Sequence, residues 1–200
     1  MRQHRLTALL IAAMASLALV GCGEDEPAPS GIAESPAEEI LSKARAAATA
    51  ASSFRLAGDV NQEGNTITLD LQFQRDKGVK GTFGSEGMTF EVLMIDEVAY
   101  LKADQETWEK AGAGAGAQLL VGKYIQMPKS TENFGDFLAL ADAERLLNEG
   151  LEPEGTVTKT EVKEVNGVQA IGLVDEGGDE GGTLYIATEG EPYPVRIEGP

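Results

Sequence analysis

The sequence predicts an α+β fold built on a large antiparallel sheet, and three observations point there. Eight or nine stretches alternate apolar and polar residues with the period of a strand, whereas only two stretches carry the period of a helix. The strand stretches come in long runs uninterrupted by helix, unlike the alternating strand–helix units that build parallel sheets. The links between them are short and rich in glycine or in Asn-Gly, as hairpin turns require.

The chain begins with a segment of a different kind. Arg2 and Arg5 precede an almost unbroken apolar run from Leu6 to Val20, closed by Gly21 and Cys22. A charged start, an apolar core and small residues at the end make a secretory signal, and the run is short for a membrane span. Leu19-Val20-Gly21-Cys22 resembles the lipobox of bacterial lipoproteins. That resemblance implies cleavage after Gly21 and a diacylglyceryl group on the Cys22 thiol. Acyl chains contribute about 0.8 kcal/mol per buried methylene, so two of them hold a folded domain on a bilayer. The expected division is therefore a signal over 1–21, a lipidated Cys22 with an acidic linker to residue 35, and a folded domain over 36–200.

Gly23 to Gly31 (GEDEPAPSG) has no apolar pattern and reads as that linker. Ser35-Pro36-Ala37-Glu38 is a capping box with proline at the first helical position. The helix it opens runs to about Ala51, with Ile40, Leu41, Ala44, Ala47, Ala48 and Ala51 on one side. A face made mostly of alanine suits close approach to a sheet.

From Ser53 the period changes to two. Phe54, Leu56 and Val60 alternate with polar residues, and Ile67, Leu69, Leu71 and Phe73 form a half-buried strand after the Gln62–Asn65 turn. Val79 to Phe83 and Met88 to Ile95 continue the meander, and Val98 to Lys102 follows. Phe90, Val92 and Met94 share one side of the fourth stretch while Leu93 and Ile95 share the other, which predicts a strand covered on both faces. After Trp108 the low-complexity run AGAGAGA (111–117) carries glycine spacing loosely like a dinucleotide fingerprint, but no β-α-β unit surrounds it, so it reads as a mobile loop. Leu119 to Met127 is a further apolar segment, and Phe134 to Leu147 reads as a second helix. Four more strands are expected at Thr156–Val165, Val168–Val174, Gly182–Ala187 and Tyr193–Ile197, the first pair joined by Asn166-Gly167. The acids of DEGGDEGG (175–182) are read as a hairpin tip and not as a calcium loop. The sequence stops at Pro200 just past a strand with no capping element, which predicts that the natural protein continues.

Composition excludes several functions. The formal charge of −17 becomes −19 once the signal and its two arginines are removed, so nucleic acid is not an expected partner. Cys22 is the only cysteine and His4 the only histidine. The mature domain then has no disulfide, no thiol nucleophile, no Ser-His pair and no His or Cys ligand for zinc. No metal, no cofactor and no catalytic residue is expected. An enzyme working through carboxylates is the weakest alternative, since no acid sits in an apolar stretch that would raise its pKa.

The order of these features resembles the LppX/LprAFG-type lipoproteins of actinobacteria. The likeness rests on the lipobox, the acidic linker, the N-terminal helix, Tyr100-Leu101-Lys102, Trp108, Gly122-Lys123-Tyr124-Ile125, the mid-chain helix and the paired strands. It covers most of Pro36 to Pro200 and depends on order and spacing more than on any fixed motif. That family is similar in fold to the LolA/LolB lipoprotein carriers. The resemblance implies a curved antiparallel half-barrel with helices on its concave side, enclosing an apolar cavity for lipid or glycolipid, on the outer face of the cell membrane. It leaves a lipid exporter open as a partner, which the sequence does not decide. On such a fold the residues expected to line the cavity are Ile67, Leu69, Leu71, Phe73, Phe90, Val92, Met94, Phe137 and Leu138. The competing expectation is an envelope adaptor that binds a partner protein and holds no ligand inside.

Overall fold

The computed structural model describes residues 30–62, 64–96, 98–128, 143–178 and 181–199. Among them lie ten antiparallel strands in two open sheets. The first sheet is a six-stranded meander in sequence order: β1 (Ser53–Gln62), β2 (Asn65–Gln74), β3 (Gly78–Ser85), β4 (Met88–Ile95), β5 (Val98–Lys102) and the two-residue β6 (Ile125–Gln126). The second has four strands, β7 (Val157–Val165), β8 (Val168–Asp175), β9 (Gly182–Ala187) and β10 (Pro194–Glu198), in the order β10-β9-β8-β7. The expected α+β class with a large curved antiparallel sheet is what the chain adopts. The strands nevertheless divide into two sheets, because Gln126 is the last residue to pair with the first and Val157 opens the second.

The elements follow local chemistry. Helix α1 (Ala37–Ala50) starts on Pro36, whose missing N–H costs nothing at a helix start, and Glu38 and Glu39 fall in the first turn where the helix dipole favours acids. The capping box does not form. A 3₁₀ turn at Ile32–Glu34 takes the Ser35 N–H onto the Ile32 carbonyl, and the Ser35 hydroxyl donates to the Glu39 carboxylate at 3.2 Å instead of capping the backbone. Between β7 and β8, Asn166 and Gly167 both take positive φ (53° and 80°), the hairpin geometry that this dipeptide favours. AGAGAGA carries short helical turns over Gly114–Gly116 and Ala117–Leu120, and the stretch before them is broken at Gly112 and Gly114, which take positive φ (91° and 52°). Of the second helix, expected over Phe134 to Leu147, the structure describes a helix from Ala143 that runs on to Gly150; the preceding residues, Phe137 and Leu138 among them, lie outside the described residues, as do the signal and Cys22.

Among the described residues three apolar clusters result, the smallest being Val165, Ala170 and Tyr185 on the far side of the second sheet. Ile40, Leu41 and Ala44 of α1 pack with Ile171 and Leu173 of β8 and Ile186 of β9, extended by Ile32. The first sheet builds its own core from Leu69, Leu71, Phe73, Val79, Val92, Met94 and Ala99. Met127, Ala143 and Leu146 pack against that core, so the Ala143–Gly150 helix lies over the first sheet while α1 packs on the second. The Arg45 guanidinium ties the two helices by donating to the Leu151 carbonyl. On the far side of the second sheet the buried Tyr185 ring lies across Gly172, where a Cβ would stand 3.1 Å from the ring. Lys163 sits 4.4 Å above the ring centroid, and the Tyr185 hydroxyl meets Glu198 at 3.0 Å.

The candidate ligand-binding face

Strand register decides which predicted lining residues meet. In the antiparallel ladders Phe54, Phe73, Val79, Met94 and Ala99 stand in one row across β1 to β5. Leu56, Leu71, Gly81, Val92, Leu101 and Ile125 make the next, and Gly58, Leu69, Phe83 and Phe90 a third. Val60, Ile67, Ser85 and Met88 make the last. Residues two apart along a strand point to the same side, so these rows form one apolar face. Ile67, Leu69, Leu71, Phe73, Phe90, Val92 and Met94 all stand on it.

The face is closed at one end and open at the other. In the first row Phe73 is 3% exposed and stacks on Phe54 with centroids 4.4 Å apart. Three rows on, Val60 is 52% exposed. At mid-face no side chain stands at Gly81, where a Cβ would collide with the Asp70 carbonyl. This glycine lets the neighbouring strand come close, at the cost of a gap between Leu71 and Val92.

Trp108 belongs to this face although the sequence marked it only as a landmark. Asp104 caps the turn Gln105–Trp108 by accepting the Thr107 N–H at 2.8 Å, and that bond holds the Asp104 carboxyl below its ordinary pKa. The buried Thr107 hydroxyl in turn receives the Thr89 N–H of β4 at 3.5 Å. The turn is thereby fixed beside β4, and the indole meets Phe90 edge-on, 5.7 Å away at 73°. Its Nε1–H is buried and has no hydrogen-bond partner among the described residues. The signal that could have found it is its place just after β5, which brings it back over the sheet.

The opposite face is polar. Arg55 forms a two-pronged pair with Asp70 at 2.7 and 2.8 Å, which draws the Asp70 pKa down. Lys102 and the Tyr124 hydroxyl both donate to Glu91 and lower its pKa. Leu93 and Ile95 also point this way, and Ile95 is 42% exposed, so β4 is not covered on both faces as its sequence suggested. In the second sheet Asp175 directs its carboxylate to the backbone N–H groups of Glu154, Gly155 and Gly177, a use that competes with any cation. Among the described residues no group of three or more potential ligands is placed to hold a metal, and no helix is long and apolar enough to cross a membrane.

No family model matches the sequence, and the curated proteins give no match. Among solved structures the chain is similar to LprF from Mycobacterium bovis, with a TM-score of 0.53 at 15% identity over 88% of this chain and 89% of that one. At such identity the likeness speaks for the fold. The chain therefore has the fold of LprF, the LprAFG-type arrangement of a curved antiparallel sheet with few helices.

Proposed function

We propose that this chain is a membrane-anchored extracytoplasmic lipoprotein, lipidated at Cys22. It binds lipid or glycolipid against the apolar face of the first sheet and carries or presents it in the cell envelope. The observation that carries the reading is the face itself, apolar in four consecutive rows and passing from full burial at Phe73 to open at Val60. An unfilled apolar surface of this kind is stabilised by an apolar occupant. The proposed lining is Ile67, Leu69, Leu71, Phe73, Phe90, Val92 and Met94, with Phe137 and Leu138 from the segment before Ala143. The likeness to the LppX/LprAFG lipoproteins supports the same cargo class, and the reading assigns the chain no catalysis.

The test is mass spectrometry of an organic extract from the protein produced from Gly23 onward in an actinobacterial host. Stoichiometric lipid is expected, lost on Leu56→Glu, a change at a position already 37% exposed and therefore tolerable to the fold. Trp108 is the only tryptophan, so its emission reports occupancy of the same face. A folded preparation without lipid, and an emission that added lipid leaves unchanged, overturns the reading. An adaptor role would then stand, favoured by one observation: Leu119, Val121 and Tyr124 are 70%, 43% and 47% exposed within six residues.

A further inference from the structure

Thirteen lysines and arginines lie among the described residues of this acidic chain, and eleven of them have a partner. Lys43, Arg55, Lys102, Lys110, Arg145 and Arg196 pair with carboxylates. Arg45, Arg75, Lys123, Lys159 and Lys163 donate to carbonyls or to a hydroxyl. Only Lys77 and Lys80 have none among the described residues, and both line one open depression of about 640 Å³. Its lining takes in Arg55, Gln72, Lys80 and Leu93, a cross-strand row of the outer face of the first sheet, with Ile95 beside it, and also Phe54, Phe73, Val79 and Met94 of the adjoining inner-face row. No acid lines it, for Asp76 and Asp96, the acids adjoining in sequence, stand in left-handed turns outside it. Arg55 is neutralised by Asp70, so the free charge is that of the two lysines.

We propose that this depression is the surface by which the domain docks on an anionic membrane. Two unpaired ammonium groups meet phosphate headgroups, while Leu93 and Ile95 lie against the glycerol and acyl boundary. Without the signal the chain carries a formal charge of −19, so an anionic surface repels it as a whole and repels it least at a patch of two unpaired lysines. The geometry of the tether agrees. Ser30 is fixed to Thr188 near the start of α1, while the far end of α1 is held to Arg75, next to the depression. Fourteen helical residues separate them by about 21 Å, and the eight residue steps from Cys22 to Ser30 reach about 26 Å when extended. A tether rooted in the bilayer therefore lets the depression touch it. The inference rests on the membrane anchor proposed above and is independent of any ligand on the inner face.

The test uses the full chain in phosphatidylcholine vesicles with and without phosphatidylglycerol. Flotation with both kinds of vesicle establishes the anchor separately. Lysine acetylation by a water-soluble reagent, read by mass spectrometry, then reports docking. Lys77 and Lys80 are expected to react about fivefold more slowly on phosphatidylglycerol vesicles at low salt, with Lys43 and Lys159 unchanged and the protection lost at high salt. Equal rates at Lys77 and Lys80 on both vesicles, with the chain still floating, overturn the proposal. Protection by inorganic phosphate on phosphatidylcholine vesicles also overturns it, in favour of a small-anion site.

Discussion

The two sheets are built from the same kind of alternating strand, yet they treat their apolar faces differently. In the second sheet Ile171, Leu173 and Ile186 meet Ile40, Leu41 and Ala44 of α1, and Ile40, Ala44 and Ile186 are fully buried. Small residues let the helix sit down on the sheet, and the contact fills. In the first sheet Met127, Ala143 and Leu146 pack on the core, and the outer rows stay half-exposed. One sheet stabilises the molecule; the other combines a core with an apolar surface that its own described side chains do not cover. The difference comes from what lies over the strands, not from the strands.

That contrast can be broken most severely at its filled end. Ile40→Ala removes a fully buried side chain between α1 and the second sheet and is expected to cost about 3 kcal/mol, lowering the melting temperature by about 10 °C. Thermal unfolding followed by circular dichroism measures it. A loss below a third of that size would mean that α1 is not the keystone of the second sheet.

Acid separates the sheets more gently. Asp70 and Glu91, both held below their ordinary pKa by basic partners, lie on the first sheet. A carboxylate with a lowered folded pKa contributes stability above its unfolded pKa and loses it as the pH falls through the folded value. Amide exchange corrected for intrinsic rates is therefore expected to show β2 to β4 losing protection below about pH 4, the ordinary carboxylate range, before β8 and β9 do. Simultaneous loss in both sheets would erase the distinction.

Smallest is the effect expected at the open end. Val60→Ala should change stability of the ligand-free protein by no more than about 0.5 kcal/mol, because Val60 is already half in water. Urea midpoints of the two proteins measure it, and a larger loss would show that this end is covered after all.

Much of this was legible in the sequence because it is local. The alternation from Ile67 to Phe73 placed four residues on one face, and Asn166-Gly167 marked its hairpin. Period two alone puts Ile67, Leu69, Leu71 and Phe73 on one side of β2, and Phe90, Val92 and Met94 on one side of β4. What failed was set from a distance. The Ser35 cap lost to the 3₁₀ turn before it, and AGAGAGA folds into short turns that its glycines interrupt at Gly112 and Gly114. The split into two sheets depends on where pairing resumes: Pro128 marks the end of the segment that holds Gln126, but nothing local says that the strands from Val157 on form a sheet of their own. The outer depression was invisible for the same reason: Arg55, Lys77, Lys80 and Leu93 come from β1, a turn, β3 and β4, and only register brings them together.

The fastening of Ser30 has a mechanical consequence. Its N–H and hydroxyl both donate to the Thr188 carbonyl, at 2.9 and 2.8 Å, at the end of β9. A pull on the preceding residues thus loads the filled sheet first, across a clasp of two hydrogen bonds. The sheet with the open apolar face is loaded next, through α1, which leads into β1, and through the Arg45 link to Leu151. Drag on a domain held by its leading end would be borne first by the rigid half, and the half with the uncovered surface would take the load after it.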